Sequence, residues 1–212
     1  PCTAACRRQA ISRRCSSVWM GEAESIVGRR VFLDACVLFP PVVRSMLMAL
    51  AEEDLFDPYW SPRVLDEWRL AVVRKHGLSA EGDVDAAQQL MSARFPDASG
   101  LPDPDFEAQL HLPDPADTHV LAAAHAVEAD VLLTFNLRDF PRPVMAGLEI
   151  VARHPDEYLW ELLSKVPDEA SASMRAVLDR AGIAKERRRK ALKRARLSRT
   201  GKALEALDQG LA

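Results

Sequence analysis

The strongest constraint on this chain is an alternation of short apolar runs that end on acids or amides with helical stretches that have recognisable starts. RRVFLDACVLF holds Val31, Phe32 and Leu33 in one unbroken apolar run before Asp34 interrupts it. A run of that kind fits a strand covered on both faces of a sheet. VLLTF (131–135) repeats the pattern directly after the helical HVLAAAHAV, with Ala129-Asp130 as the turn, and a last short strand is predicted near Leu148–Ala152. Between these runs, Pro40 and Pro41 open a helix to about Ala51, and LFDPYW is a short strand or extended turn. Ser61-Pro62 supplies an N-cap and a proline at the first helical position for SPRVLDEWRLAVVRKHG, which Gly77 ends. A helix is predicted over about 82–95, SGLPDPDF is a loop, and Asp114 caps the helix that Pro115 opens. Strands alternating with helices of this length define an α/β chain: three layers, α/β/α, around a central, mostly parallel sheet.

After Pro155 the pattern is helical only. The chain therefore divides into a segment 1–29 outside the fold, a sheet domain 30–153 and a C-terminal helical extension 154–212. PCTAACRRQAISRRCSS has no apolar core of a secretory signal, and is either a disordered tail or translated sequence upstream of a start at Met20. No apolar run approaches the ~18 residues of a membrane helix, so no span is expected. Cys2, Cys6 and Cys15 crowd the first fifteen residues and leave Cys36 alone in the body, which is no disulfide framework; a reducing cytoplasm is expected.

Charge is partitioned. Residues 31–184 hold 12 basic and 26 acidic residues, whereas KERRRKALKRARLSRTGK (185–202) holds 10 basic residues and one acid. A body so acidic attracts a phosphate backbone only with help from a metal, the basic segment or a partner.

In open α/β sheets ligands gather beyond the carboxyl ends of the strands. Asp34 ends the first strand, Asn136 and Asp139 follow the strand at 131–135, and Asp117 opens the helix that precedes it. At 100° per residue, Asp117 shares the apolar stripe of Val120, Leu121, Ala124 and Val127, while His119 and His125 fall outside it and are expected at the surface. In the Ser61 helix, Glu67 borders the stripe of Val64, Trp68 and Ala71, and Asp66 points away. Singly, each acid is as well explained by a cap, a turn or a solvated face. Jointly, carboxylates crowded at one rim repel one another unless a cation neutralises them, and oxygen donors of this type suit Mg²⁺ or Mn²⁺.

FLDACVLFP, SPRVLDEW, LPDPADTHVLAAA and VLLTFNLRDFP, in that order, resemble the PIN-domain proteins, most closely the VapC-like toxin ribonucleases of type II toxin–antitoxin modules. The resemblance covers about 30–152, and HPDEYLWELL with the helices after it resembles the C-terminal extension of one branch. It implies a PIN-like fold with Asp34, Glu67 and Asp117 as catalytic residues and metal ligands. Asn136 falls at the family's fourth position, Thr134 at a small hydroxyl position, and Asp139 either adds a carboxylate or only holds the loop. Cys36 stands where much of the family has Asn; it is read as a small buried hydrophobe.

The expected function is metal-dependent hydrolysis of RNA phosphodiester bonds. Mg²⁺ or Mn²⁺ activates a water for attack, with Glu67 or Asp117 accepting its proton. Arg187, Arg188, Lys190, Lys193 and Arg194 of the basic segment either follow the RNA backbone or form a solvated face. The implied partners are an RNA substrate, a cognate antitoxin and a second copy in a homodimer. The rival readings are a receiver-like signalling module, which needs a Lys after its last strand where 148–154 offers Arg153, and a degenerate scaffold without activity.

Overall fold

The computed structural model describes residues 26–210, so the expectations for residues 1–25 lie outside it. β1 (Arg29–Leu33) is central, pairing in parallel with β2 (Phe56–Tyr59) on one side and β3 (Val131–Leu133) on the other; β4 (Val151–Arg153) adds to β3. The order β2-β1-β3-β4 is parallel throughout. Val31, Phe32, Leu33, Val131, Leu132 and Leu133 are all fully buried, as a sheet covered on both faces requires. The helices that flank it are α1 (Ala35–Leu38), α2 (Pro41–Glu52), α3 (Pro62–His76), α4 (Glu81–Arg94), α5 (Pro104–Glu107), α6 (Thr118–Ala126) and α7 (Arg142–Gly147). The fold is α/β/α with a helical extension made of α8 (Pro155–Lys165), α9 (Pro167–Arg180), α10 (Lys185–Arg194) and α11 (Ser198–Asp208).

Local chemistry sets the boundaries. Ser61 accepts the amide of Val64 at 3.2 Å and Pro62 occupies the first turn of α3, while Gly77 ends that helix at φ 88°. Asp103 accepts the amide of Asp105 and starts α5 inside the segment expected to be loop, an Asp-Pro start that the surrounding prolines obscure. The last strand begins three residues later than expected. Glu149 (φ 57°) and the amide of Ile150, bonded to the carbonyl of Met145, first close α7, and the chain extends only from Val151.

The chain joins the fold slightly before residue 30: Ile26 is buried and the amide of Gly28 donates to the carbonyl of Leu55. The extension shares the same core. α9 packs on α2, and Tyr158 meets the edge of Phe56 with ring centroids 5.6 Å apart. The basic segment is two helices rather than one, because α10 ends at Arg194 and the turn 195–197 redirects the chain into α11. Among the described residues no helix is long and apolar enough to cross a membrane.

This topology fixes where a site can form. The chain leaves β1 to build β2 on one side and returns to build β3 on the other, so the carboxyl ends of β1 and β3 flank a switch point, where α/β sheets open a crevice. Asp34 follows β1 directly, and Thr134, Phe135 and Asn136 follow β3.

Candidate active site

A cleft of about 590 Å³ opens at that switch point. Its walls include Asp34, Cys36, Glu67, Arg74, Asp117, Phe135, Asn136 and Arg196. Four expected site residues from four separate segments thus share one cavity. Asp34 comes from the end of β1, Glu67 from the inner side of α3, Asp117 from the end of a single 3-10 turn before α6, and Asn136 from the loop after β3. Asp114 is the cap of that turn, accepting the amide of Ala116 at 2.9 Å, and does not line the cleft. Asp139 does not line the cleft but is near enough for its charge to act on Asp117.

Asp34 is held by a small network. Thr134 Oγ1 donates to Asp34 Oδ2 at 2.7 Å and the Cys36 thiol donates to the same oxygen at 2.9 Å. The amide of Asn136 donates to Thr134 Oγ1 at 2.9 Å and the amide of Phe135 donates to Cys36 Sγ at 3.2 Å. Two parallel relays therefore run from the backbone of 135–136 to one carboxylate oxygen, and none among the described residues reaches Oδ1. Cys36, expected as a small buried hydrophobe, also serves as a hydrogen-bond donor to Asp34. It is only partly buried, and burial followed by the charge of Asp34 pushes its thiol well above the ordinary range, so it stays protonated and donates.

The acids feel one another. Burial first, then the charges of Asp34, Asp139, Asp114 and Glu67, push the Asp117 carboxyl up to about 7. Glu67 is also raised by burial and by Asp34, against the guanidinium of Arg63, 3.5 Å away. Burial and mutual repulsion thus both disfavour the charged forms of these carboxylates.

His119 departs from expectation. It is buried, 1% exposed, because the N-terminal part of α6 is enclosed all round and Val120 to Ala124 are buried without a break, so the wheel's solvent face does not exist there. Its Nε2 lies 2.8 Å from Glu67 Oε1, yet neither ring nitrogen has hydrogen-bond geometry to any partner. Burial, then Arg63, lowers its pKa to about 4, so the ring is neutral. His125 is exposed and stacks on Phe106 at 4.3 Å.

Of the basic residues expected to contact nucleic acid, Arg188 is committed to Asp179 and Asp208, while Arg187, Lys190, Lys193 and Arg194 are exposed and away from the cleft. The cations that line the cleft are Arg74 and Arg196, neither singled out by sequence. Arg74 sits in the last turn of α3, two turns from Glu67, a signal available from spacing alone; nothing local marks Arg196.

The donor set is carboxylate and amide oxygen, the hard chemistry of Mg²⁺ or Mn²⁺. Among the described residues no three of His, Cys, Asp and Glu stand close enough to cage an ion. The residues still fit such an ion, because Mg²⁺ keeps several waters and takes only one or two protein carboxylates directly.

A parallel sheet with carboxylates gathered in a cleft at its switch point defines the class: an α/β protein with an acidic site beyond its strand ends. A family model described as PIN domain matches residues 30–138, and the chain belongs to the PIN-domain family. It is 36% identical over 63 residues to the protein named "Putative ribonuclease VapC50" of Mycobacterium tuberculosis, an alignment covering 30% of this chain and 37% of that protein. No solved structure matches the chain.

Proposed function

We propose that this protein is a metal-dependent endoribonuclease, acting as the toxin of a type II toxin–antitoxin pair. The observation that carries the reading is the single cleft lined by Asp34, Glu67, Asp117 and Asn136, whose acids raise the pKa of Asp117 to about 7 by burial and repulsion. Membership of the PIN family and the similarity to a protein named as a ribonuclease support it.

Asp34, Glu67 and Asp117 would hold Mg²⁺ or Mn²⁺, and Asn136 would add a neutral oxygen. The ion, when bound, supplies activation of the attacking water and neutralises charge on the scissile phosphate. Thr134 and Cys36 fix the rotamer of Asp34 by donating to Oδ2. Asp117, pushed up to about 7 by burial and neighbouring charges, is suited to accept a proton near neutral pH, and Glu67 is raised in the same direction by burial and Asp34. Asp139 reinforces the negative field at Asp117 without lining the cleft. An antitoxin from a neighbouring gene would block the cleft, and a homodimer in the cytoplasm is the assembly this reading expects.

The test is expression of the wild type beside Asp34→Asn, scoring growth and fragmentation of total RNA, with purified proteins compared in Mn²⁺, in Mg²⁺ and in EDTA. RNA cleavage by the wild type that requires the ion and vanishes in the variant is expected. Equal behaviour of the two proteins would remove the catalytic claim.

A further inference from the structure

We infer that Arg196, carried by the C-terminal extension, is a substrate-binding residue of the cleft and grips a phosphate of the single-stranded RNA backbone; this rests on the ribonuclease reading above. The first observation is where the side chain lies. Arg196 lines the same cavity as Asp34, Glu67, Asp117 and Asn136, although it is separated from them by at least 60 residues of sequence. Its guanidinium lies 4.4 Å from the centre of the Phe135 ring and Nη2 donates to the Phe135 carbonyl at 3.4 Å. Phe135 is braced from another side by His154, edge to face at 5.0 Å. One face of the guanidinium is thus fixed on a rigid aromatic, and one of five N–H donors is used.

The second observation is what the guanidinium does not do. Arg196 forms no ion pair among the described residues, although it stands in a cleft of carboxylates, whereas Arg188 and Arg189 of the same segment are paired with Asp179, Asp208 and Glu205. A fixed, uncommitted planar fork beside a hydrolytic site is suited to a phosphate, which it contacts through two parallel N–H bonds. It also answers the charge problem of the sequence: an acidic body needs a cation at the point where the polyanion enters.

The third is the backbone. α10 closes with the amide of Leu197 on the carbonyl of Leu192 at 2.8 Å and that of Arg196 on Lys193 at 3.1 Å, which puts Arg196 at the left-handed position that glycine normally fills, φ 63°. Asp54, Glu128 and Glu149 share this conformation, so strain alone selects nothing. What distinguishes Arg196 is that its turn, with Leu197 fully buried behind it and Asp156 holding the amides of Arg199 and Thr200, brings its side chain to the cleft, which Asp54, Glu128 and Glu149 do not line. The turn aims one side chain at the cleft and keeps it there.

Glycine at this position relieves the strain and deletes the guanidinium, so Arg196→Gly separates folding from binding. In an Asp34→Asn background with EDTA, binding of fluorescein-labelled mixed-sequence single-stranded RNA is followed over a salt series. Arg196→Gly and Arg196→Ala are expected to weaken binding roughly 10-fold and to reduce the slope of log affinity against log salt by about 0.7. Arg196→Lys recovers part of the loss, and Arg194→Ala, an exposed cation away from the cleft, changes binding less than 3-fold. The Tm of Arg196→Gly is expected to be no lower than that of its parent. Unchanged affinity and slope in both deletions, with wild-type RNA cleavage intact, would overturn this inference alone. If the wild type neither binds nor cleaves RNA, the ribonuclease reading falls first and takes this one with it.

Discussion

Thr134 donates its hydroxyl hydrogen to Oδ2 of Asp34 across 2.7 Å, and 100 residues of sequence. Both groups are buried, Thr134 completely, so the bond fixes one carboxylate orientation at the point where β1 and β3 end side by side. The same hydroxyl receives the amide of Asn136 and so ties the loop after β3 to the acid after β1. Replacing Thr134 with the isosteric Val removes a donor to a charged group and orphans an amide, at a cost of about 1.5–3 kcal/mol. Chemical denaturation of Thr134→Val should show that loss. The turnover of RNA should fall about 10-fold or more, while Thr134→Ser keeps most of both. A Val variant as active as the wild type would mean that Asp34 needs no such support.

The repulsion at Asp117 predicts a pH dependence whose sign is opposite to that of a salt-bridged acid. Its carboxyl titrates near 7 in the folded protein against 3.8 ordinarily. The contribution to stability is therefore complete below about pH 4, where both states are protonated, and is lost as the pH rises through 7. In EDTA, Asp117→Asn should melt higher than the wild type above pH 7, and the gap should close towards pH 4. Adding Mn²⁺ above pH 7 should raise the wild-type Tm and leave the Asn variant nearly unmoved, because an ion that binds only the folded state stabilises it by mass action. A gap of equal size at both ends of the pH range would sink the assignment.

His119 is a buried imidazole with two unbonded nitrogens beside the carboxylate of Glu67. A polar ring with no hydrogen bond costs the fold its desolvation. His119→Leu removes that cost at similar volume, and its effect on stability should lie within about 1 kcal/mol of zero or be favourable. The informative readout is the split between kcat and KM. A neutral ring 2.8 Å from Glu67 limits the rotamers of that acid, so kcat should fall with KM little changed. A loss of stability above about 2 kcal/mol would show that the ring is bonded after all.

The strands, the proline-marked starts of α2, α3 and the turn before α6, and the convergence of Asp34, Glu67, Asp117 and Asn136 were legible because each rests on local chemistry: an apolar run, a Pro-Pro, Ser-Pro or Asp-Pro start, a turn after a strand. What the sequence hid depends on contacts between distant segments. His119 was read as a surface residue because a helical wheel assumes one solvent face, and α6 has none at that end. Cys36 reads as a small buried hydrophobe because its hydrogen bonds exist only when Phe135 and Asp34 are beside it. The basic segment 185–202 carries no glycine before residue 201 to mark a stop, yet it breaks at Arg196, where a residue without glycine's freedom takes glycine's place. That break is invisible to propensity and is enforced by burial of Leu197 and by Asp156.

Asp156 is where the extension can be tested as a mechanical part. It lies in the first turn of α8, 8% exposed, and its carboxylate reaches 43 residues ahead to cap α11. Oδ2 accepts the amide of Arg199 at 2.9 Å, and Oδ1 accepts both the amide and the hydroxyl of Thr200 at 2.9 Å. Leu197, the residue before α11, has no side chain able to cap it, so the start of that helix depends on a carboxylate from another helix. Asp156→Ala leaves the amides of Arg199 and Thr200 without their acceptor, while the Thr200 hydroxyl keeps the carbonyl of residue 156 at 3.2 Å, and should cost about 2–3 kcal/mol. In a chain of this size that corresponds to a fall in Tm of roughly 4–12 °C. Because the freed turn also carries Arg196, RNA affinity should fall in the same variant, whereas Asp179→Ala, which only loosens a surface pair with Arg188, should leave it unchanged. If Asp156→Ala melts as predicted but binds RNA like the wild type, the extension stabilises the fold without positioning its arginine.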